Sequence, residues 1–98
     1  MPRKASQVAR SLVAKGMQPD ESHHHMFRKE IAGVTHVVTR ISHSAKEIPD
    51  ILGKLMAAQC YLRLKEFWEL VDCPLSEKDW EALIRSRCVD GKNPFTTN

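Results

Sequence analysis

No segment of the chain approaches the roughly 20 consecutive apolar residues that a membrane helix needs. The N-terminus, Met1-Pro2-Arg3-Lys4 followed by a mixed segment, also lacks the apolar run of a signal peptide. These absences predict a cytoplasmic protein without a membrane partner. Cysteine is scarce: Cys60, Cys73 and Cys88 are odd in number and lack a dense spacing pattern, which suits small, partly buried, reduced thiols and not a disulfide framework. With no C-x-x-C and no H-x-x-x-H spacing, the usual geometry of a metal centre is missing, and neither metal nor other cofactor is expected. A glycine-rich phosphate loop, a nucleophile elbow, paired carboxylates, internal repeats and low-complexity segments are likewise absent, which removes the commonest nucleotide-binding and hydrolase signatures.

What remains is an ordinary globular composition. The 98 residues, 42% hydrophobic and 28% charged, support one domain with a modest core, so any active site must lie on the surface or in a shallow cleft. A net charge of +3 and a pI near 8.9 allow nucleic-acid contact without demanding it. The positive charge gathers in Arg3, Lys4, Arg10 and Lys15 and again in Arg28, Lys29 and Arg40, a distribution equally expected of a solvated basic face or a phosphate-binding one.

Periodicity gives the order of elements. Val8, Ala9, Leu12 and Val13 predict a helix over residues 6–15, stopped by Gly16. Residues 23–31 and 34–42 are extended runs around Ala32-Gly33, the pattern of a β-hairpin. The second is the surer strand, because Val34, Thr35, Val37, Val38, Thr39 and Ile41 are β-branched. A third short strand could lie in 17–21 or near Glu30. Ile48, Ile51, Leu52, Leu55 and Met56 then form a helical stripe for a second helix from about Pro49 to Cys60, in which Gly53 is explained by close packing against the sheet. Leu64, Phe67, Trp68 and Val71 mark a third helix. Ser76-Glu77-Lys78-Asp79 opens a fourth with a capping-box-like start, carrying Trp80, Leu83 and Ile84 on its apolar side. Residues 89–98 read as a flexible tail. Local connections and helices on one face of a sheet make this α+β.

Histidines are the candidates for chemistry. His23, His24 and His25 fall on the first strand and His36 on the second. If Phe27 points into the core, alternation sends His23 and His25 inward and leaves His24, Met26 and Arg28 outward. An exposed imidazole can exchange a proton with a ribose hydroxyl or a leaving oxygen near neutral pH while guanidinium groups neutralise the phosphate, which suffices for RNA cleavage without metal. Taken alone, such a run is more often a set of ordinary surface or half-buried histidines.

The order of the pieces carries a further implication. A helix ending in glycine (Gln7 to Gly16) precedes Ser22-His23-His24-His25-Met26-Phe27. A strand then closes on Ile41-Ser42-His43-Ser44-Ala45-Lys46-Glu47-Ile48, and a helix, Asp50-Ile51-Leu52-Gly53-Lys54-Leu55-Met56-Ala57-Ala58, follows. Over residues 5–60 this resembles HicA, the toxin of bacterial and archaeal toxin–antitoxin pairs. The resemblance implies a double-stranded-RNA-binding-like α-β-β-(β)-α core with two additional C-terminal helices over 61–88, and an endoribonuclease that cuts mRNA with one histidine. That histidine falls on His24 counting back from Phe27, or on His23 counting forward from Ser22. Arg28, Lys29, Arg40 and Lys15 would contact the RNA backbone, with Ser22, His36 and His43 in support. A cognate antitoxin would be a partner, and the aromatic C-terminal helices leave room for a homodimer. Asp20-Glu21 stands where the family has a glycine before the serine, so a non-catalytic RNA-binding or protein-interaction module on the same fold is the alternative.

Overall fold

The computed structural model describes residues 3–20, 25–31, 35–41, 46–72, 74–88 and 93–96. Strand β1 (Arg3–Lys4) leads into α1 (Ala5–Ala14). Three strands follow, β2 (Gln18–Asp20), β3 (His25–Ile31) and β4 (Thr35–Ile41), then β5 (Glu47–Ile48) and the helices α2 (Asp50–Gln59), α3 (Leu64–Val71) and α4 (Glu77–Arg87). β2, β3 and β4 form an antiparallel sheet in that order, and β1 pairs antiparallel with β5. The protein is α+β. The third strand of the sheet occupies the first of the two places expected for it; the β1–β5 pair, two residues long on each side, is too short to leave a periodic signal.

Alternation along the sheet separates two faces. Phe27, Lys29 and Ile31 of β3 and Val37, Thr39 and Ile41 of β4 are buried, whereas Arg28, Glu30 and Arg40 are exposed, as a period of two requires. The helices cover the buried face. Val8 and Leu12 of α1, Met56 and Ala57 of α2, Phe67, Leu70 and Val71 of α3, and Trp80 and Ile84 of α4 join the strands in one core. The C-terminal helices are thus integral to it.

Helix ends explain much of the chain path. α1 closes in a Schellman motif: Gly16, at φ +95°, donates its N–H to Val13 O (3.0 Å), and Met17 N–H reaches back to Leu12 O (3.0 Å). α2 ends in the same way around Tyr61, whose φ of +64° is unusual for a residue with a side chain. Tyr61 N–H donates to Ala58 O (3.2 Å) and Leu62 N–H to Ala57 O (2.9 Å). The C-terminal segment covers this end. Trp80 Nε1 donates to Cys60 O (2.9 Å), Arg87 to Tyr61 O (2.8 Å) and Asn93 Nδ2 to Ala58 O (2.6 Å), supplying donors to carbonyls near the helix terminus. Within the segment read as a flexible tail, residues 93–96 are therefore anchored, and Phe95 lies 5.4 Å from the Arg87 guanidinium.

Two expectations for α2 are corrected. Ile48 and Met56 are buried, but Ile51, Leu52 and Leu55 are 77%, 42% and 58% exposed; the inward face is made by the small residues Gly53 and Ala57 with Met56 and Cys60. Gly53 is required by a neighbouring helix and not by the sheet, since a Cβ there would stand 2.6 Å from the Trp68 ring and 3.0 Å from Leu64.

Candidate nucleic-acid interface

The sheet's exposed face is built from β2, β3 and β4. In register, Gln18 stands opposite Arg28, Arg28 opposite Val38, and Met26 opposite Arg40, so the two arginines lie on one diagonal of the same face, a distance long side chains can bridge. Gln18, Arg28 and Glu30, with Gly16 and Lys29, line a shallow depression of about 390 Å³. A second depression of about 400 Å³ runs between α1 and α3, lined in part by Arg10, Lys15 and Asp72. Asp20 and Glu30 share the outer face with Arg28 and Arg40, so its charge is mixed.

Strand ends organise the histidines. His25, which begins β3, pairs with Ile41, which ends β4, and Asp20, which ends β2, pairs with Met26. Connections 21–24 and 42–45 therefore both join the sheet at the end that carries Arg40. Ser22, His23, His24 and His43 belong to those connections and lie outside the described residues. His36 belongs to β4, in register with Glu30.

Two of the four predicted backbone-contacting cations are engaged internally. Lys29 is on the buried face, 7% exposed, with Nζ 2.8 Å from Glu77 and 2.9 Å from Glu81 and 5.6 Å from the centre of the Trp80 ring. Burial pulls its pKa down, but the hydrogen bonds and charges of Glu77 and Glu81 outweigh this and hold it above the ordinary lysine value. Glu81 is correspondingly lowered, chiefly by its hydrogen bond from Lys29. Lys15, 8% exposed, donates to Leu75 O. The alternation that places Phe27 inward also places Lys29 inward, two residues on, so parity was the signal against it; Lys15, at the C-cap of α1, has no such signal. Arg28 and Arg40 remain exposed.

Comparison with protein-family models, curated proteins and solved structures finds no match for this chain. The site therefore rests on its own geometry. Among the described residues, no group of three histidine, cysteine or acidic side chains gathers as metal ligands, and no helix is long and apolar enough to cross a membrane. Cys60 is fully buried, which pushes its thiol up to about 12 and leaves it without nucleophilic character at neutral pH. The arrangement offers two exposed guanidinium groups for phosphate oxygens, next to two connections that carry imidazoles.

Proposed function

We propose that the protein is a HicA-like cytoplasmic toxin that binds mRNA and cleaves it without metal. The carrying observation is the pairing of His25 with Ile41 and of Met26 with Arg40, which joins the connections bearing His24 and His43 to one end of the sheet beside an exposed arginine. The antiparallel meander β2-β3-β4 between α1 and α2, with the short β1–β5 pair beside it, supports a double-stranded-RNA-binding-like core. In this reading RNA lies across the end of the sheet, Arg28 and Arg40 contact the phosphates, and His24 (or its neighbour His23) is the general acid or base, with Ser22 or His43 assisting; position 36, in register with Glu30 towards the other end of the strands, is set apart from them. A cognate antitoxin would cover that end. Recognition in this reading rests on shape and backbone contacts more than on bases.

The test is incubation of purified protein with a labelled mRNA in the presence of chelator. His24→Ala should lower the cleavage rate by about 10²-fold or more while RNA affinity stays within a few-fold. Arg28→Ala with Arg40→Ala should weaken binding and reduce the slope of log affinity against log salt by about 1 to 2. Binding without cleavage by the wild type would replace the ribonuclease with a non-catalytic module, and absence of both would sink the reading.

A further inference from the structure

The depression on the outer side of the sheet follows from the chain path. β2 begins only at Gln18, opposite Arg28, because Gly16 and Met17 are still engaged in closing α1. β3 runs three residues past Arg28, to Ile31, and among the described residues that stretch has no partner strand on the β2 side. The gap left there is the depression of about 390 Å³ lined by Gly16, Gln18, Arg28, Lys29 and Glu30, a volume near the lower end of small-ligand sites.

Its polar groups are of complementary kinds. Lys29 adds no free charge, since its ammonium is turned inward to Glu77 and Glu81. Of the exposed side chains, Arg28 has only donors, Glu30 only acceptors and Gln18 both. A guanidinium and a carboxylate two residues apart on one face of β3 leave the depression close to neutral, so what Arg28 offers a phosphate inside it Glu30 opposes. A flat, uncharged group with donors and acceptors along one edge fits better. Gln18 and Glu30 stand on a diagonal across β2 and β3, a separation of roughly 7–8 Å that long side chains can bracket.

We infer that this depression is a subsite for one unpaired guanine base. The Watson–Crick edge of guanine carries two adjacent donors, N1–H and the 2-amino group, beside the O6 acceptor, and no other RNA base places two donor groups side by side. The Glu30 carboxylate accepts from both, and the Gln18 amide donates to O6. Arg28, at the rim, stays available to the phosphate of the same nucleotide. Base pairing hides that edge, so the guanine comes from a single strand. Glu30 lies four residues along β3 from Met26, about 13 Å, so the base sits away from the end of the sheet where connections 21–24 and 42–45 join. It fixes which stretch of RNA is held and takes no part in the chemistry. The inference rests on the RNA-binding reading above and adds one base contact to recognition carried mainly by the backbone. A free guanine nucleotide offers the same edge, and the test separates the two sources.

Fluorescence anisotropy compares a labelled short uridine strand with the same strand carrying one central guanosine, or one inosine, which lacks the 2-amino group. The guanosine strand should bind about tenfold more tightly than the uridine strand, with the inosine strand between them. Glu30→Gln, at an exposed position, should leave circular dichroism unchanged and uridine-strand affinity within a few-fold, and cut the guanosine preference to about threefold or less. Equal binding of the uridine and guanosine strands by the wild type would overturn the subsite and leave the RNA reading intact, as would a preference that survives Glu30→Gln. If neither strand binds, the RNA reading falls and calorimetry with guanosine monophosphate decides. Saturable binding lost in Glu30→Gln would keep the guanine site with a free nucleotide as its source, and absence of binding would overturn it.

Discussion

At the residue scale, Gly16 shows how one position answers to two constraints. Its φ of +95° lies where a side chain is strained, and a Cβ would run into the Glu77 carboxylate and the Lys29 ammonium. Gly16→Ala should therefore cost about 1 to 3 kcal/mol, read as a lower urea midpoint with an unchanged slope. Glu66 is a second such residue: it accepts the backbone N–H of Arg63 (2.8 Å) at the start of α3 and a bidentate pair from Arg87 (2.8 and 2.7 Å) on α4. Mainly through Arg87, its carboxyl titrates at about 2 instead of 4.5. A carboxyl lowered on folding stabilises the native state above its unfolded pKa, and that contribution is lost as pH falls from about 4.5 to 2. Glu66→Gln should destabilise the protein by about 1 to 2 kcal/mol at neutral pH, the pair being partly solvated. Urea titrations across that range should show the gap between variant and wild type closing towards pH 2.

At the element scale, α4 shows how the C-terminal helices add to the core. Trp80 is fully buried, caps the end of α2, and lies beside the ammonium of Lys29, whose charge Glu77 and Glu81 balance. Trp80→Ala should cost about 3 to 5 kcal/mol. Truncation after Leu75 would leave Lys29 buried without its carboxylates and should yield a chain with no cooperative thermal transition by circular dichroism. The cap of α4 was legible: Ser76 Oγ accepts from Asp79 N–H at 3.1 Å, as the Ser-Glu-Lys-Asp pattern implies. The buried face of α2 was not, because its inward residues are small, and hydropathy ranks Ile51, Leu52 and Leu55 above the Gly53 and Ala57 that make the close helix contact.

At the scale of the whole molecule, charge pairing decides what is left for a ligand. Arg3 is bound to Asp72 (2.9 Å) and stacks 4.9 Å over Trp68; Lys15, Lys29 and Arg87 are engaged inside. The net charge therefore overstates the basic surface available; if the proposed RNA binding holds, affinity should be modest and only shallowly salt-dependent, with a log–log slope of about 2 for two arginines, which filter binding at two salt concentrations would show. The kind and order of the main elements were written in the sequence, because periods of 3.6 and 2, a glycine stop and a serine cap are local properties that neighbouring residues impose on one another. Tertiary structure decided the rest: that Lys29, inward by parity, meets Glu77 and Glu81 of α4, and that three aliphatic side chains of α2 stay outside. Each depends on which element lies across from which, a matter of register and packing between residues distant in the chain, and no local pattern encodes that.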